Sequence, residues 1–136
     1  MLPSPIPITE LTRAEEQVML VLWQRGTSFV KDVQAALPAD PPLAYTTVST
    51  IIRLLEQKGF VEHEAFGRTH RYFPVIGQDA YRQHLLHKLI SNYFDGSFGG
   101  LLSFYIRTAG LDAAQLGQLV GQAYQQMGPA PTPPGQ

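Results

Sequence analysis

Between Leu43 and Phe73 the chain reads LAYTTVSTIIRLLEQKGFVEHEAFGRTHRYF, and the order of patterns in this stretch leaves few folds open. Val48, Ile51, Ile52 and Leu55 fall at i, i+3, i+4 and i+7, the spacing that lines side chains along one buried helical stripe. Lys58-Gly59 then supplies a cation and a residue tolerant of left-handed backbone where a helix should stop. Directly after it, Phe60 to Ala65 and Arg68 to Phe73 read as two strands joined around Phe66-Gly67. A helix, a glycine stop and a basic-tipped hairpin in this order describe a winged helix-turn-helix.

The other face of that helix carries Thr46, Thr47, Ser49, Thr50 and Arg53, with no acidic residue before Glu56. Threonine is a poor helix former, so an ordinary solvated helix would show Glu, Lys and Gln there instead. A small, hydroxyl-rich surface with one guanidinium suits close approach to base edges and phosphates. Tyr45 and Lys58, at the two ends of the helix, are expected to help position it. On the wing, Arg68 and His70 are expected to touch phosphate or the minor groove, with Arg71 as a further contact to the sugar-phosphate backbone.

Net charge limits how such a surface can work. The formal value is −1, not the basic balance that argues for nucleic acid by itself. Residues 43 to 73 hold four Lys/Arg against three Asp/Glu, a balance of 4 − 3 = +1, whereas residues 1 to 42 hold three against five and residues 74 to 136 three against three. Duplex DNA would therefore be held through a localised patch, doubled by dimerisation, with weak nonspecific affinity.

On either side of this centre the chain is expected to be helical. Residues 1–10 are proline-rich and read as a flexible arm. Thr12 with Glu15 has the spacing of a capping box and opens a helix whose inner face is Val18, Met19, Leu22 and Trp23, ended by Gly26. A second helix covers about Val30 to Leu37, and Pro38-Ala39-Asp40-Pro41-Pro42 makes a rigid turn. From Asp79 to Phe94 the apolar set Tyr81, Leu85, Leu86, Leu89, Ile90 and Tyr93 forms a stripe broader than a small winged domain needs. The next helix, about Gly99 to Thr108, is apolar almost all round through Leu101, Leu102, Phe104, Tyr105 and Ile106, so it must be buried, most simply against a second copy of the chain. Asp112 with Gln115 opens a last helix with Leu116, Leu119 and Val120 on one side, and residues 128–136 read as a disordered tail. The expected plan is mostly α with a small β-hairpin wing: a winged-helix domain over 11–76 and a helical dimerisation region over 77–127.

Other chemistries find little support. Two histidine pairs have spacings that could each supply two metal ligands, His63 with His70 across the hairpin and His84 with His87 on a helix, but neither shows a third at a telling position. They read as solvated surface histidines, and no metal or cofactor is expected. No nucleophile elbow, phosphate-binding loop or zinc-protease motif is present, and there is no cysteine for disulfide, thiolate or nucleophilic chemistry, so an enzyme is not expected. Tyr81, Phe98, Phe104 and Tyr105 read as packing rather than a ligand pocket. No run approaches the ~20 apolar residues of a membrane span, and a soluble cytoplasmic protein is expected.

With these residues in view, the chain resembles the BlaI/MecI-type penicillinase repressors, bacterial winged-helix transcription regulators. The matching positions are Leu11-Thr12, Glu15 and Leu22-Trp23; Tyr45 to Thr50 with Leu55, Lys58 and Gly59; Gly67-Arg68 through Tyr72; and Phe98 to Leu111. The resemblance implies a homodimer on a roughly palindromic double-stranded operator. It also implies release when a membrane-bound sensor protease signals and the repressor is cut in its dimerisation region. The corresponding bond here reads Phe104-Tyr105, without the family's asparagine, and Leu54 stands where relatives often carry arginine. The rival reading is a winged helix used for protein assembly without specific DNA binding.

Overall fold

The computed structural model describes residues 8–128, so most of the arm and nearly all of the tail anticipated above lie outside the described residues. The elements run α1 (Arg13–Arg25), β1 (Ser28–Phe29), α2 (Val30–Ala36), α3 (Tyr45–Gln57), β2 (Val61–Phe66), β3 (Thr69–Pro74), α4 (Gln78–Tyr93), α5 (Phe98–Ala109) and α6 (Ala113–Met127). The sheet is antiparallel in the order β1-β3-β2. This is a winged helix-turn-helix followed by further helices.

The start of α1 and the end of α3 are set by local chemistry. Thr12 caps α1: its hydroxyl accepts from the Glu15 N–H at 3.2 Å while the Glu15 carboxylate accepts from the Thr12 N–H at 2.8 Å. The end of α3 is a paired-carbonyl stop, with Gly59 N–H donating to Glu56 O and Phe60 N–H to Leu55 O, both at 3.0 Å. Gly59 takes φ +83, a left-handed value that a side chain resists. That reversal drops Phe60, 0 % exposed, onto Leu55 and the core of Val18, Met19, Leu22, Val33, Val48 and Ile52.

The hairpin differs from expectation by one residue. Its turn is Gly67-Arg68, with Gly67 at φ +66, and Phe66 stays in β2 opposite Thr69. His63 therefore pairs with Tyr72 and not with His70, which faces Ala65. The ring of Phe66 explains the choice: it packs edge-on against Phe29 and beneath the Arg71 guanidinium, contacts a turn position would forfeit. β1, two residues long, was not anticipated at all.

The described residues fall into two compact units, the first ending at Leu86 and the second beginning at His87, within α4. The first unit extends past the wing because Tyr81 belongs to its core. Tyr81 is 3 % exposed, packs on Trp23 and Phe60, and its phenol oxygen accepts from the Leu11 N–H at 3.0 Å. Trp23 donates its indole N–H to Ile76 O at 2.9 Å.

The second unit has a different character. α5 is capped by Ser97 and α6 by Asp112 with Gln115, yet neither helix contains a buried residue in the single chain. The burial anticipated for Leu101, Leu102, Phe104 and Tyr105 is thus not met within one chain. Leu89, Tyr93, Leu102, Tyr105, Leu119 and Val120 stand exposed, and Leu101 and Leu116 are half-buried. In the first unit Leu85 and Leu86 are exposed as well.

Candidate nucleic-acid interface

With Val48, Ile52 and Leu55 facing the core, α3 turns Thr46, Thr50, Arg53 and Gln57 outward at i, i+4, i+7 and i+11. Thr47 and Tyr45 flank this stripe in the open, and Ser49 is half-buried. The Thr50 hydroxyl donates to Thr46 O at 2.9 Å, which leaves its lone pairs facing outward. Gln57 completes the stripe, and the sequence gives no sign of it because it sits among the residues of the helix stop.

Between α3 and the wing lies a cleft of about 490 Å³. Tyr45, Ser49 and Arg53 line it from α3, Arg68, Thr69, His70 and Tyr72 from the wing, and Phe29, Val30 and Lys31 from the start of α2. Its charged lining is Lys31, Arg53 and Arg68, with no carboxylate. Burial first, then the nearby Glu56 carboxylate, push the Tyr72 phenol above the ordinary tyrosine range, with Arg53 pulling the other way, so Tyr72 is a neutral hydroxyl.

The wing is braced on α3 through its histidines. His63 Nδ1 pairs with the Glu56 carboxylate, and the His63 and His70 rings stack with centroids 4.2 Å apart and planes 13° from parallel. Alternation along β3 then separates two roles: His70 and Tyr72 face the cleft, while Arg71 points to the opposite side. There Arg71 pairs with Glu64 at 2.8 Å and covers Phe66, so it is not the free backbone contact anticipated. No cluster of three or more metal-ligating side chains occurs among the described residues.

Lys58 also departs from expectation. Its ammonium lies 2.6 Å from Glu15 Oε1, tying the end of α3 to the start of α1 instead of reaching outward. Glu15 is 3 % exposed. Burial alone would raise its carboxyl, but hydrogen bonds from Lys58 and Thr12 outweigh this and hold it below the ordinary value of 4.5. A depressed folded value contributes stability that is present above 4.5 and lost as pH falls through the folded value. Glu15→Gln, which keeps an acceptor but removes the charge, is expected to lose about 1 kcal/mol at neutral pH. In urea unfolding across pH, that gap from wild type should close in the acid range; a gap independent of pH would show that the charge contributes nothing.

A family model described as penicillinase repressor matches residues 11–123, from the cap of α1 into α6. The chain belongs to the penicillinase repressor family. Among its relatives is the transcriptional regulator BlaI of Mycobacterium tuberculosis, 36 % identical over 109 residues that cover 79 % of each chain. The penicillinase repressor of Bacillus licheniformis is 22 % identical over 112 residues, 82 % of this chain and 88 % of that protein. A solution structure of the DNA-binding domain of the repressor BlaI is similar over 54 % of this chain and 90 % of its own, with 28 % identity and a TM-score of 0.48. This penicillinase repressor family member is a DNA-binding transcriptional regulator, not an enzyme. Among the described residues no helix is long and apolar enough to cross a membrane.

Proposed function

We propose that the protein represses transcription as a homodimer that lays α3 of each copy in the major groove of a roughly palindromic operator. The observation that carries this reading is the acid-free cleft between α3 and the wing. A polyanion there meets three lining cations and no lining carboxylate, and Glu56, whose charge reaches Tyr72, is paired with His63. Thr46, Thr47, Ser49, Thr50 and Arg53 read base edges, Tyr45 helps position the helix, and Arg68 and His70 on the wing contact phosphate or the minor groove. Half-sites stand about one helical turn, roughly 34 to 36 Å, apart or a multiple of it. Bound in this way, the dimer occludes the promoter, and the protein works in the cytoplasm where the DNA is.

The exposed apolar residues of α5 and α6 support the dimer, since isolated helices with such faces are marginal in water without a partner. Relief of repression by a membrane sensor protease belongs to the same reading, with Phe104-Tyr105 as the bond to be cut. Both side chains are exposed, but the bond lies within α5, so a protease must first unwind that turn.

The test is fluorescence anisotropy of the protein with duplex DNA from its own upstream region, at about 50 and about 200 mM salt, against scrambled competitor. Affinity that weakens steeply with salt and resists the competitor is expected; binding no better than to scrambled duplex would refute an operator there. Arg68→Ala should weaken binding to operator and scrambled duplex by the same factor and lower the salt slope by about one per protomer. An unchanged slope would remove the wing tip from the contact surface.

A further inference from the structure

Lys31 has no part in the sequence-based interface, yet it stands on the cleft. We infer that Lys31, at the start of α2, grips a backbone phosphodiester of the bound strand from the side opposite the wing, so that the strand lies between Lys31 and Arg68. The inference rests on the DNA-binding reading and adds a contact to it.

Three observations carry it. First, the free cations of the winged unit are not scattered. Among residues 8–86, Lys58, Arg71 and Arg82 are held by carboxylates. Of the remaining cations, Lys31, Arg53 and Arg68 converge on one cleft, and only Arg13 and Arg25 lie elsewhere. Second, the acid closest to Lys31 in the chain is already committed: the Asp32 carboxylate accepts from the Phe29 N–H at 3.0 Å, capping α2. Lys31 is exposed and has no carboxylate partner among the described residues. Third, the three cations come from three different elements, α2, α3 and the wing turn. An extended anion in the cleft therefore meets charge contributed by three separate elements. A cation on a flexible stem neutralises phosphate as a point charge and distinguishes no base, so this contact adds affinity without sequence preference.

The experiment measures salt-dependent binding of the full chain to its upstream duplex and to scrambled duplex. It compares wild type with Lys31→Met, Lys31→Arg and the off-cleft control Arg13→Met, after circular dichroism has shown each to be folded. Lys31→Met should lower the salt slope by about one per protomer and weaken both duplexes by the same factor. Lys31→Arg should restore the slope, and Arg13→Met should leave it at the wild-type value. A wild-type slope in Lys31→Met overturns the inference while leaving the DNA-binding reading intact. An equal loss in Arg13→Met overturns it too, because the effect would then be net charge and not a site. Absence of salt-dependent binding by wild type to either duplex would sink the DNA-binding reading and the inference together.

Discussion

Arg53→Ala is expected to weaken operator binding by about 1 to 3 kcal/mol, roughly five- to a hundred-fold or more, and to relax the base preference at one position of each half-site. Arg53 lies on the outward stripe of α3, exposed and lining the cleft. A planar guanidinium there can donate two parallel hydrogen bonds to the O6 and N7 acceptors of guanine, which a threonine hydroxyl cannot imitate. The loss should be larger on operator than on scrambled DNA, setting Arg53 apart from Lys31 and Arg68. Arg53→Lys should keep the salt slope and lose most of the discrimination, since it keeps the charge but not the fork. Equal losses on both duplexes would make Arg53 a phosphate contact and leave base reading to the hydroxyl residues.

Phe60→Ala is expected to destabilise the winged unit by about 3 to 5 kcal/mol. Phe60 is 0 % exposed, follows the reversal at Gly59, packs edge-on against Tyr81 at 5.6 Å and joins the end of α3 to β2. Its removal leaves a cavity bounded by helices that are tied elsewhere, so the surroundings have little freedom to close. Against a typical total of about 5 to 15 kcal/mol, the variant should unfold at much lower denaturant. Chemical denaturation followed by tryptophan fluorescence reads this directly, because Trp23 packs on the same Tyr81 ring. A loss below about 1 kcal/mol would mean that the core around Tyr81 relaxes freely. The two variants fail in different ways: Arg53→Ala should stay as stable as wild type, while Phe60→Ala should bind normally wherever it is still folded.

Much of this architecture was legible because its signals are local. The capping boxes at Thr12 and Asp112, the apolar stripe of α3 and its glycine stop each lie within a few residues, and the outward threonines follow once the stripe is placed. What could not be read depended on partners distant in the chain. Lys58 looked like a cation at a helix end, and nothing near it points to a carboxylate 43 residues away. The hairpin slipped by one position because glycine suits either place in a two-residue turn; the ring of Phe29, contributed by a strand too short to leave a pattern, favours keeping Phe66 in β2. Lys31 leaves no signal for a related reason, since the sequence of α2 announces only its buried face, Val30 and Val33. The extent of the first unit was hidden as well, for Tyr81 looks like one more apolar residue of α4 until its ring is found between Trp23 and Phe60.

The carboxylate of Glu15 accepts both from the Thr12 N–H and from the Lys58 ammonium. One oxygen, Oε1, thus fastens the opening turn of α1 and the closing turn of α3. If the first turn of α1 frays, the carboxylate swings away and releases the far end of the DNA-facing helix; if that end lifts, the cap loses the cation that steadies it. The two helix ends are therefore expected to open together, since opening either one breaks the contact they share. On the proposed placement of α3 in the major groove, substitutions near the start of α1 are expected to alter how sharply the protein discriminates between sequences, because they loosen the contact that steadies the far end of α3.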